Sequence, residues 1–307
     1  MEAADRNKLY TDERTYEHIH VPKFGSAVLM CDSINNGPMI DHNNIANIGL
    51  VMEATKERIF GLTSGAVSFG KTRMNLAELG ITDEVIAKSM YAANGNSLLF
   101  ERWNEAIRTK YILPMLLTHR GAYRIRIEGT EFETEMSGKK YNNHFLNVLE
   151  NTYKTANIIP FLNNQDLISD RELKKFQGGK EFSDNDELTT SVAKILLRIT
   201  HALTLEFNTS ANGVLDNSGN TIPDLYIDDL DDKTIHALTP DDAKTDAGTG
   251  GMRNKLFTIR KFMRNYGKYG KLVSYVLNGK DPSQLESVFN GEKAGTRISQ
   301  SANLTEI

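Results

Sequence analysis

The sequence predicts an α/β fold in which a largely parallel sheet is covered by helices. Short apolar runs rich in branched residues alternate along the chain with longer amphipathic stretches, which is the pattern of repeated strand and helix units. Several amphipathic stretches open on Asp or Asn, side chains that cap a helix by accepting from its first N–H groups. Neither an internal repeat nor a low-complexity tract interrupts the alternation.

The element boundaries follow from the same pattern. Six apolar runs are predicted to be strands: Ser26–Cys31, Arg58–Thr63, Tyr111–Thr118, Ile158–Asn163, Thr200–Phe207 and Leu272–Asn278. Helices are predicted to begin near Asp41, Asp83, Asn142, Asp186, Met252 and Pro282. The segment Arg120–Lys140 alternates polar and apolar residues around a glycine, which predicts a projecting hairpin. The acidic run Asp224–Asp232 is predicted to be a solvated loop.

Composition limits the class of protein. A chain of 307 residues with 39% hydrophobic and 25% charged residues is typical of a soluble globular protein with a large core. The net charge of −4 argues against nucleic acid as a partner. The single cysteine, Cys31, excludes an internal disulfide framework and fits a reducing cytoplasm. The first 18 residues are charged and predict a mobile extension, and no apolar run suggests a membrane partner.

Two common kinds of site are not indicated. The seven histidines do not show metal-ligand spacing, so no protein-bound metal is predicted. Ser64 lies in a Ser-Gly-Ala turn, but the Gly-x-Ser-x-Gly elbow of a serine hydrolase is absent.

A glycine-rich turn before a predicted helix points to phosphate chemistry. Gly248, Gly250 and Gly251 precede the helix predicted at Met252, and Lys255 lies one turn inside it. Glycines let backbone N–H groups approach an anion, and a helix N-terminus adds unpaired donors and partial positive charge. The spacing matches neither a Walker A loop nor a dinucleotide fingerprint, so an ordinary loop is the alternative interpretation.

Three other turns are expected at the same edge of the sheet, because ligands of open α/β sheets bind at the carboxyl ends of the strands. Val21–Ser26 carries Lys23 and Gly25, and Leu62–Gly70 contains the Ser-Gly-Ala turn. The third turn pairs Leu162–Asp166 with Phe182–Leu188. Together with the glycine-rich turn, they supply two lysines, glycine amides and carboxylates.

In order and content, these motifs resemble the amino acid kinase family, and within it the branch that phosphorylates the side-chain carboxylate of glutamate. The matching segments run from about Pro22 to Ile298 and are Lys23–Ser26, Thr63–Ala66, Asn163–Asp166, Asp184–Asp186, Gly248–Lys255, Val276–Gly279 and Gly295–Thr296. The resemblance implies a three-layer αβα sandwich with a mainly parallel central sheet. It also implies a kinase domain over residues 19–298, with an acceptor lobe at about 19–180, a nucleotide lobe at about 181–298 and a tail at 299–307.

The activity implied by the resemblance is ATP-dependent formation of γ-glutamyl phosphate, as in proline biosynthesis, with Mg²⁺ accompanying the ATP. No general base is needed, because a carboxylate with an ordinary pKa of about 4.3 is already ionised near neutral pH. The resemblance further implies a homo-oligomer and a downstream acyl-phosphate reductase or ligating enzyme as a partner. We expect no C-terminal RNA-modification-type (PUA) domain of the kind that many bacterial members carry.

Roles for individual residues also come from the resemblance. Lys23 and Lys255 would flank the transferring phosphoryl group, and Asp186 would hold their ammonium groups in place. Gly25 and Gly65 would offer backbone N–H groups at helix starts to the phosphates and the acceptor carboxylate. The implied acceptor site consists of Ser64, Gly65, Ala66, Asn163, Asp166 and Asn185, with Asp166 on the α-ammonium. The implied nucleotide site consists of Lys23, Gly25, Ser26, Thr209, Ser210, Gly213, Thr249, Gly250, Gly251, Met252 and Lys255.

Two departures from the family pattern keep alternatives open. Ser210 stands where the family usually has an aspartate, and Asn164 and Gln165 replace the usual Glu-Asn pair. A kinase for a different amino acid or small acid is therefore one alternative, and an inactive nucleotide-binding regulatory protein is another. Residue by residue, the lysines also fit ordinary surface positions, and Asp186 fits a helix cap.

Overall fold

The computed structural model describes residues 16–33, 37–117, 144–155, 157–164, 185–239 and 251–300. In these ranges the strands are β1 (Tyr16–Phe24), β2 (Met30–Ser33), β3 (Gly37–Ile40), β4 (Gly61–Thr63), β5 (Tyr111–Leu117), β6 (Ile158–Asn164), β7 (Thr200–Thr209), β8 (Asp224–Tyr226), β9 (Lys271–Asn278) and β10 (Thr296–Ser299). The helices are α1 (Ser26–Leu29), α2 (His42–Ala54), α3 (Ala66–Lys71), α4 (Glu84–Ala106), α5 (His144–Tyr153), α6 (Asn185–Leu196), α7 (Asp232–Leu238), α8 (Met252–Tyr266) and α9 (Pro282–Phe289).

The main sheet has the strand order β5-β6-β4-β1-β7-β9-β10-β8. The first six of these strands are mutually parallel. The last two reverse direction, since β10 runs antiparallel to β9 and parallel to β8. Strands β2 and β3 form a separate antiparallel ribbon. The sheet is therefore mainly parallel, as predicted.

Helices cover both faces of the sheet. On one face, α6 and α8 contribute Val192 and Ile259 to a core that also contains Val21. On the other face, α2 and α4 contribute Ile48 and Trp103 to a second core. The prediction of a three-layer αβα sandwich is confirmed. None of the helices in the described ranges combines the length and the apolar character that a membrane crossing requires.

The predicted helix starts rested on capping chemistry, and the structure confirms that chemistry. Asp41 caps α2 by accepting from Asn44 N (3.0 Å), and Asp83 caps α4 by accepting from the backbone of the first turn. Helices α8 and α9 begin at Met252 and Pro282, the predicted residues. Side chains that satisfy free N–H groups locally can be recognised without knowing the tertiary structure.

One predicted strand is wrong. Ser26–Cys31 was expected to be a strand, but residues 26–29 form the short helix α1 and only Met30 and Cys31 enter β2. The central strand is the preceding segment, β1, which begins at Tyr16. The last three residues of the predicted N-terminal extension therefore belong to the sheet. The polar side chains of β1 hid it from a search for apolar runs, although they find partners on β7.

The acidic run 224–232 is also not the solvated loop that was predicted. Asp224 begins strand β8, which pairs with β10, and Asp231 caps α7 by accepting from Thr234 N at 2.7 Å. The hairpin predicted at 120–140 lies outside the described residues and stays a prediction.

Helix α4 packs directly against α3 through glycines. A Cβ atom built on Gly95 would lie 1.7 Å from the carbonyl oxygen of Ala66, and one built on Gly70 would lie 2.0 Å from that of Tyr91. Only residues without a side chain permit such an approach. Helix α4 therefore supports the turn at residues 64–66 by direct backbone contact.

We expect Gly95→Ala to destabilise the protein. Alanine is favoured over glycine within a helix by about 0.5–1 kcal/mol, but overpacking costs about 1–3 kcal/mol and the clashing atom here is backbone, which cannot rotate away. Urea unfolding should show a lower free energy of unfolding. Ser97→Ala, at an exposed position of the same helix, is the control and should change little. A Gly95→Ala protein as stable as the wild type would contradict the close packing.

Candidate active site

The parts of the predicted turns that the structure describes meet beside β1, at the point where the chain connections on its two sides diverge. After β1 the chain passes to β4 on one side, whereas β7 lies against the other side of β1. At the carboxyl end of β1, Phe24 is paired with Thr63 of β4 and with Asn208 of β7. Ligands of open α/β sheets bind at such a switch point. The turns that follow β1, β4 and β7 therefore lie around one position.

Two lysines far apart in sequence share one carboxylate at this position. Lys23 Nζ lies 2.8 Å from Asp186 Oδ1, and Lys255 Nζ lies 2.5 Å from Asp186 Oδ2. The exposed fractions of the three side chains are 11% for Lys23, 6% for Lys255 and 2% for Asp186. The alternative interpretations placed both lysines at the surface and made Asp186 only a helix cap. They do not fit these buried contacts.

The charges of the cluster favour a bound anion. Burial alone would raise the pKa of Asp186, but the charges of Lys23 and Lys255 lower it below its ordinary value of 3.8. Asp186 is therefore ionised at neutral pH. Two ammonium groups and one carboxylate leave one net positive charge, which an anion can neutralise. Lys255 also packs over the ring of Phe207, with its Nζ 5.1 Å from the ring centroid.

The N-terminus of α8 adds donors beside Lys255. Gly251 is its N-cap residue and provides no side-chain cap, and the first turn, all of it described, contains no acidic residue. Met252 follows as the first helical residue, so its N–H is among those without a partner inside the helix. These features are typical of an anion site. Thr249 and Gly250 lie outside the described residues.

The first two turns touch each other at Ser26 and Gly65. Gly65 adopts a φ of +96°, which glycine tolerates best, and a Cβ built on it would lie 3.4 Å from Ser26 Cβ. In this structure the Gly25 N–H donates to Asn208 O at 3.2 Å, and the predicted contact of this N–H with a phosphate stays a prediction. Ser26, the first residue of α1, provides the next amide along the chain.

Two asparagines that were predicted to hold the acceptor donate to neighbouring side chains. Asn185 Nδ2 donates to Ser64 Oγ at 2.8 Å, and Asn163 Nδ2 donates to Asn96 Oδ1 at 2.7 Å. Asn185 Oδ1 is buried and has no hydrogen-bond partner among the described residues. A buried oxygen of this kind can accept from an ammonium group. Ala66 lies behind this turn against Gly95, and Asp166 lies outside the described residues.

The turn after β7 is stabilised by a hydrogen bond within the turn and by another to Thr296 of β10. The Thr209 hydroxyl donates to Ala211 O at 3.2 Å, and Ser210 is exposed. Gly213 has a φ of +139°, and the next residue, Val214, donates its N–H to Thr296 Oγ1 at 2.8 Å. The Gly295–Thr296 motif therefore supports this turn from β10.

A search against protein-family models found no match. Among curated proteins, the chain is 28% identical to the glutamate 5-kinase of Maridesulfovibrio salexigens over 91% of this chain and 66% of that protein. It is 29% identical to the glutamate 5-kinase of Nitratidesulfovibrio vulgaris over 92% of this chain and 67% of that protein. The chain thus spans about two thirds of the length of these relatives.

Among solved structures, the carbamate kinase of Giardia lamblia bound to AMP-PNP covers 93% of this chain and 99% of its own, with a TM-score of 0.54 and 13% identity. The chain has the amino acid kinase fold. The predicted resemblance to the amino acid kinase family is confirmed.

Within the amino acid kinase fold, two asparagines that the motifs did not include support the site. Asn44 Nδ2 donates to Val28 O at 2.9 Å and to Gly279 O at 2.8 Å. It ties the segment after the Lys23 turn to the turn after β9. Asn96 orients Asn163 from α4. The Gly95–Asn96 pair of poor helix formers inside a helix was an available signal for Asn96, whereas Asn44 carries no comparable signal.

We expect Asp186→Asn to lower the free energy of unfolding by about 3–5 kcal/mol at pH 7, because it leaves buried ammonium groups without their counter-charge. The folded-state pKa of Asp186 lies below 3.8, so the stabilisation is complete above that pH and is lost as the pH falls below it. The difference in free energy of unfolding between Asp186→Asn and the wild type should therefore become smaller at acidic pH.

Urea unfolding at several pH values measures this difference. Asp229→Asn, at an exposed position, should behave as wild type at every pH. An Asp186→Asn protein of wild-type stability would show that the shared carboxylate does not stabilise the fold.

Proposed function

We propose that the protein is a kinase that transfers the γ-phosphoryl group of ATP to the side-chain carboxylate of glutamate, giving γ-glutamyl phosphate. The observation that carries this proposal is the buried Lys23–Asp186–Lys255 cluster at the switch point of the sheet. Two features support it: curated relatives are named glutamate 5-kinase, and the Giardia lamblia carbamate kinase of similar fold was solved with AMP-PNP.

The lysines suit phosphoryl transfer. In such a reaction negative charge spreads over the oxygens of the transferring group, and fixed positive charges stabilise it without having to reorganise. Lys23 and Lys255 are already buried and held on opposite oxygens of Asp186. Magnesium accompanies the nucleotide as Mg–ATP, because this ion prefers phosphate oxygens and water to a cage of protein ligands.

The acceptor requires orientation and no deprotonation. A carboxylate oxygen of the amino acid attacks the γ-phosphorus, the bond from that phosphorus to the bridging oxygen of ATP breaks, and ADP leaves with the electron pair. Asn163, Asn185 and Ser64 offer neutral polar groups, and Asn185 Oδ1 can accept from the α-ammonium. The product is an acyl phosphate, so we propose that a reductase or a ligating enzyme consumes it.

The test is formation of an acyl phosphate from Mg–ATP and single amino acids, trapped with hydroxylamine as a hydroxamate. Signal with glutamate would support the proposal. A signal with another acid, but none with glutamate, would overturn glutamate as the acceptor and still support a kinase activity. Silence with every acid, in a protein that still binds nucleotide, would overturn the kinase itself.

We expect Lys255→Ala to lower kcat by at least about 10²–10³, the effect of removing one preorganised electrostatic group. Lys261→Ala, at an exposed position of the same helix, is the matched control and should retain wild-type activity. Circular dichroism of both variants tests that they fold. A folded Lys255→Ala protein with substantial activity would contradict the role of this lysine.

We expect Ser64→Ala to raise the glutamate KM by about 2- to 10-fold, the range that corresponds to one neutral hydrogen bond of about 0.5–1.5 kcal/mol. The ATP KM should change less, because Ser64 contacts Asn185 on the acceptor side. Initial rates over a glutamate concentration series measure the effect. Ser218→Ala, at an exposed position, is the control, and an unchanged glutamate KM would remove Ser64 from the acceptor site.

A further inference from the structure

A group of side chains able to bind metal lies on the strand that carries Lys23, but near its other end. His18 and His20 are two residues apart on β1, so their side chains project from the same face of the sheet. One ring nitrogen of each and one carboxylate oxygen of Glu57 lie within 4.8 Å of one another. We propose that His18, His20 and Glu57 bind a divalent transition metal ion, and that zinc suits this site.

Each imidazole is held by β7 through one nitrogen. His20 Nδ1 lies 2.5 Å from Glu206 Oε1, and His18 Nε2 lies 2.9 Å from Thr204 Oγ1. This leaves Nε2 of His20 and Nδ1 of His18, and the latter already lies 3.8 Å from Glu57 Oε2. Metal-bound histidines usually make this kind of second contact to a carboxylate or another polar group, which fixes the ring and its tautomer.

Both imidazole rings are largely shielded from solvent: His20 is 3% exposed and the side chain of His18 is 19% exposed. Glu206 is fully buried, and its Oε2 has no hydrogen-bond partner among the described residues. The second contact of His20 is therefore shielded from solvent.

The distances among the three ligand atoms mean that the side chains need to move little to bind zinc. Three atoms no more than 4.8 Å apart surround a point no more than about 2.8 Å from each, compared with a Zn–N distance of about 2.0–2.1 Å. The side chain of Glu57 is 41% exposed and is therefore able to move inward. Three protein ligands leave a fourth position of a tetrahedral ion for water.

The ligand types distinguish this site from the magnesium of the proposed reaction. Imidazole nitrogens favour zinc and its neighbours, whereas magnesium favours oxygen. His18 precedes Lys23 by five residues, or roughly 16 Å along an extended strand. Glu57 lies between α2 and β4. A bound ion would thus join β1 to the α2–β4 connection, away from the candidate active site.

The alternative is a polar cluster that only fills space between β1, β7 and α9. The ring of His20 packs edge-on against Phe289 with centroids 4.9 Å apart, which suits such a role. That role explains the contacts of His20 to Glu206 and Phe289. It does not require Glu57, whose carboxylate oxygen lies 3.8 Å from the remaining nitrogen of His18.

The experiment uses the full chain, stripped with a chelator, without nucleotide. Titration with Zn²⁺ by calorimetry should show one ion per chain, and the melting temperature should rise with zinc concentration. Co²⁺ bound in place of zinc should show the visible absorption of a tetrahedral ion. It should show no thiolate charge-transfer band, because no cysteine is among the proposed ligands. His18→Gln and Glu57→Gln should each weaken zinc binding by more than about tenfold, since removal even of a ligand's supporting partner costs about 10–100-fold.

Two controls exclude other ligands. His42→Gln and Cys31→Ser change an exposed histidine and an exposed cysteine, and both variants should bind zinc as the wild type does. No saturable binding by the wild type would overturn the proposal, as would loss of binding in either control or unchanged binding in Glu57→Gln. Because Glu57 is partly exposed, Glu57→Gln should fold. The test therefore remains decisive even if His18→Gln fails to fold.

Discussion

One carboxylate between two ammonium groups constrains much of this structure. Burying Lys23 and Lys255 without Asp186 would leave charges in a low-dielectric interior, at a cost of several kcal/mol. The three residues come from β1, α8 and α6, so these elements must hold their positions to within a salt-bridge distance. Placing β1 in the centre of the sheet, with β4 and β7 on either side, meets that requirement and brings the turns after these three strands around the same point.

Local chemistry in the sequence predicted most of the elements. Capping by Asp41 and Asp83 located two helix starts, because the acceptor and the N–H groups that it satisfies lie within one turn. The convergence of Lys23 and Lys255 on Asp186 could be expected only from the order of the motifs, since 69 residues separate Lys255 from Asp186. The acceptor of the Gly25 N–H, Asn208 O on the adjacent strand β7, is likewise far away in sequence.

The features missed by sequence reasoning share one physical cause. His20 and Glu206 are 186 residues apart, and His20 does not look like a residue of a buried strand until its partner is known. The same is true of Asn44, whose two acceptors are the carbonyls of Val28 and Gly279. Polar groups inside a fold are tolerated when paired, and pairing across strands leaves no periodic signal. The central strand β1 was misplaced for this reason.

The contact between Gly95 and Ala66 has a mechanical consequence. Backbone atoms in direct contact cannot rotate out of each other's way, so the turn at residues 64–66 and the 23-residue helix α4 must shift together. A helix of this length extends about 34 Å. Gly95 lies at the middle of this helix, so a displacement of the turn by an incoming molecule would shift both ends of α4.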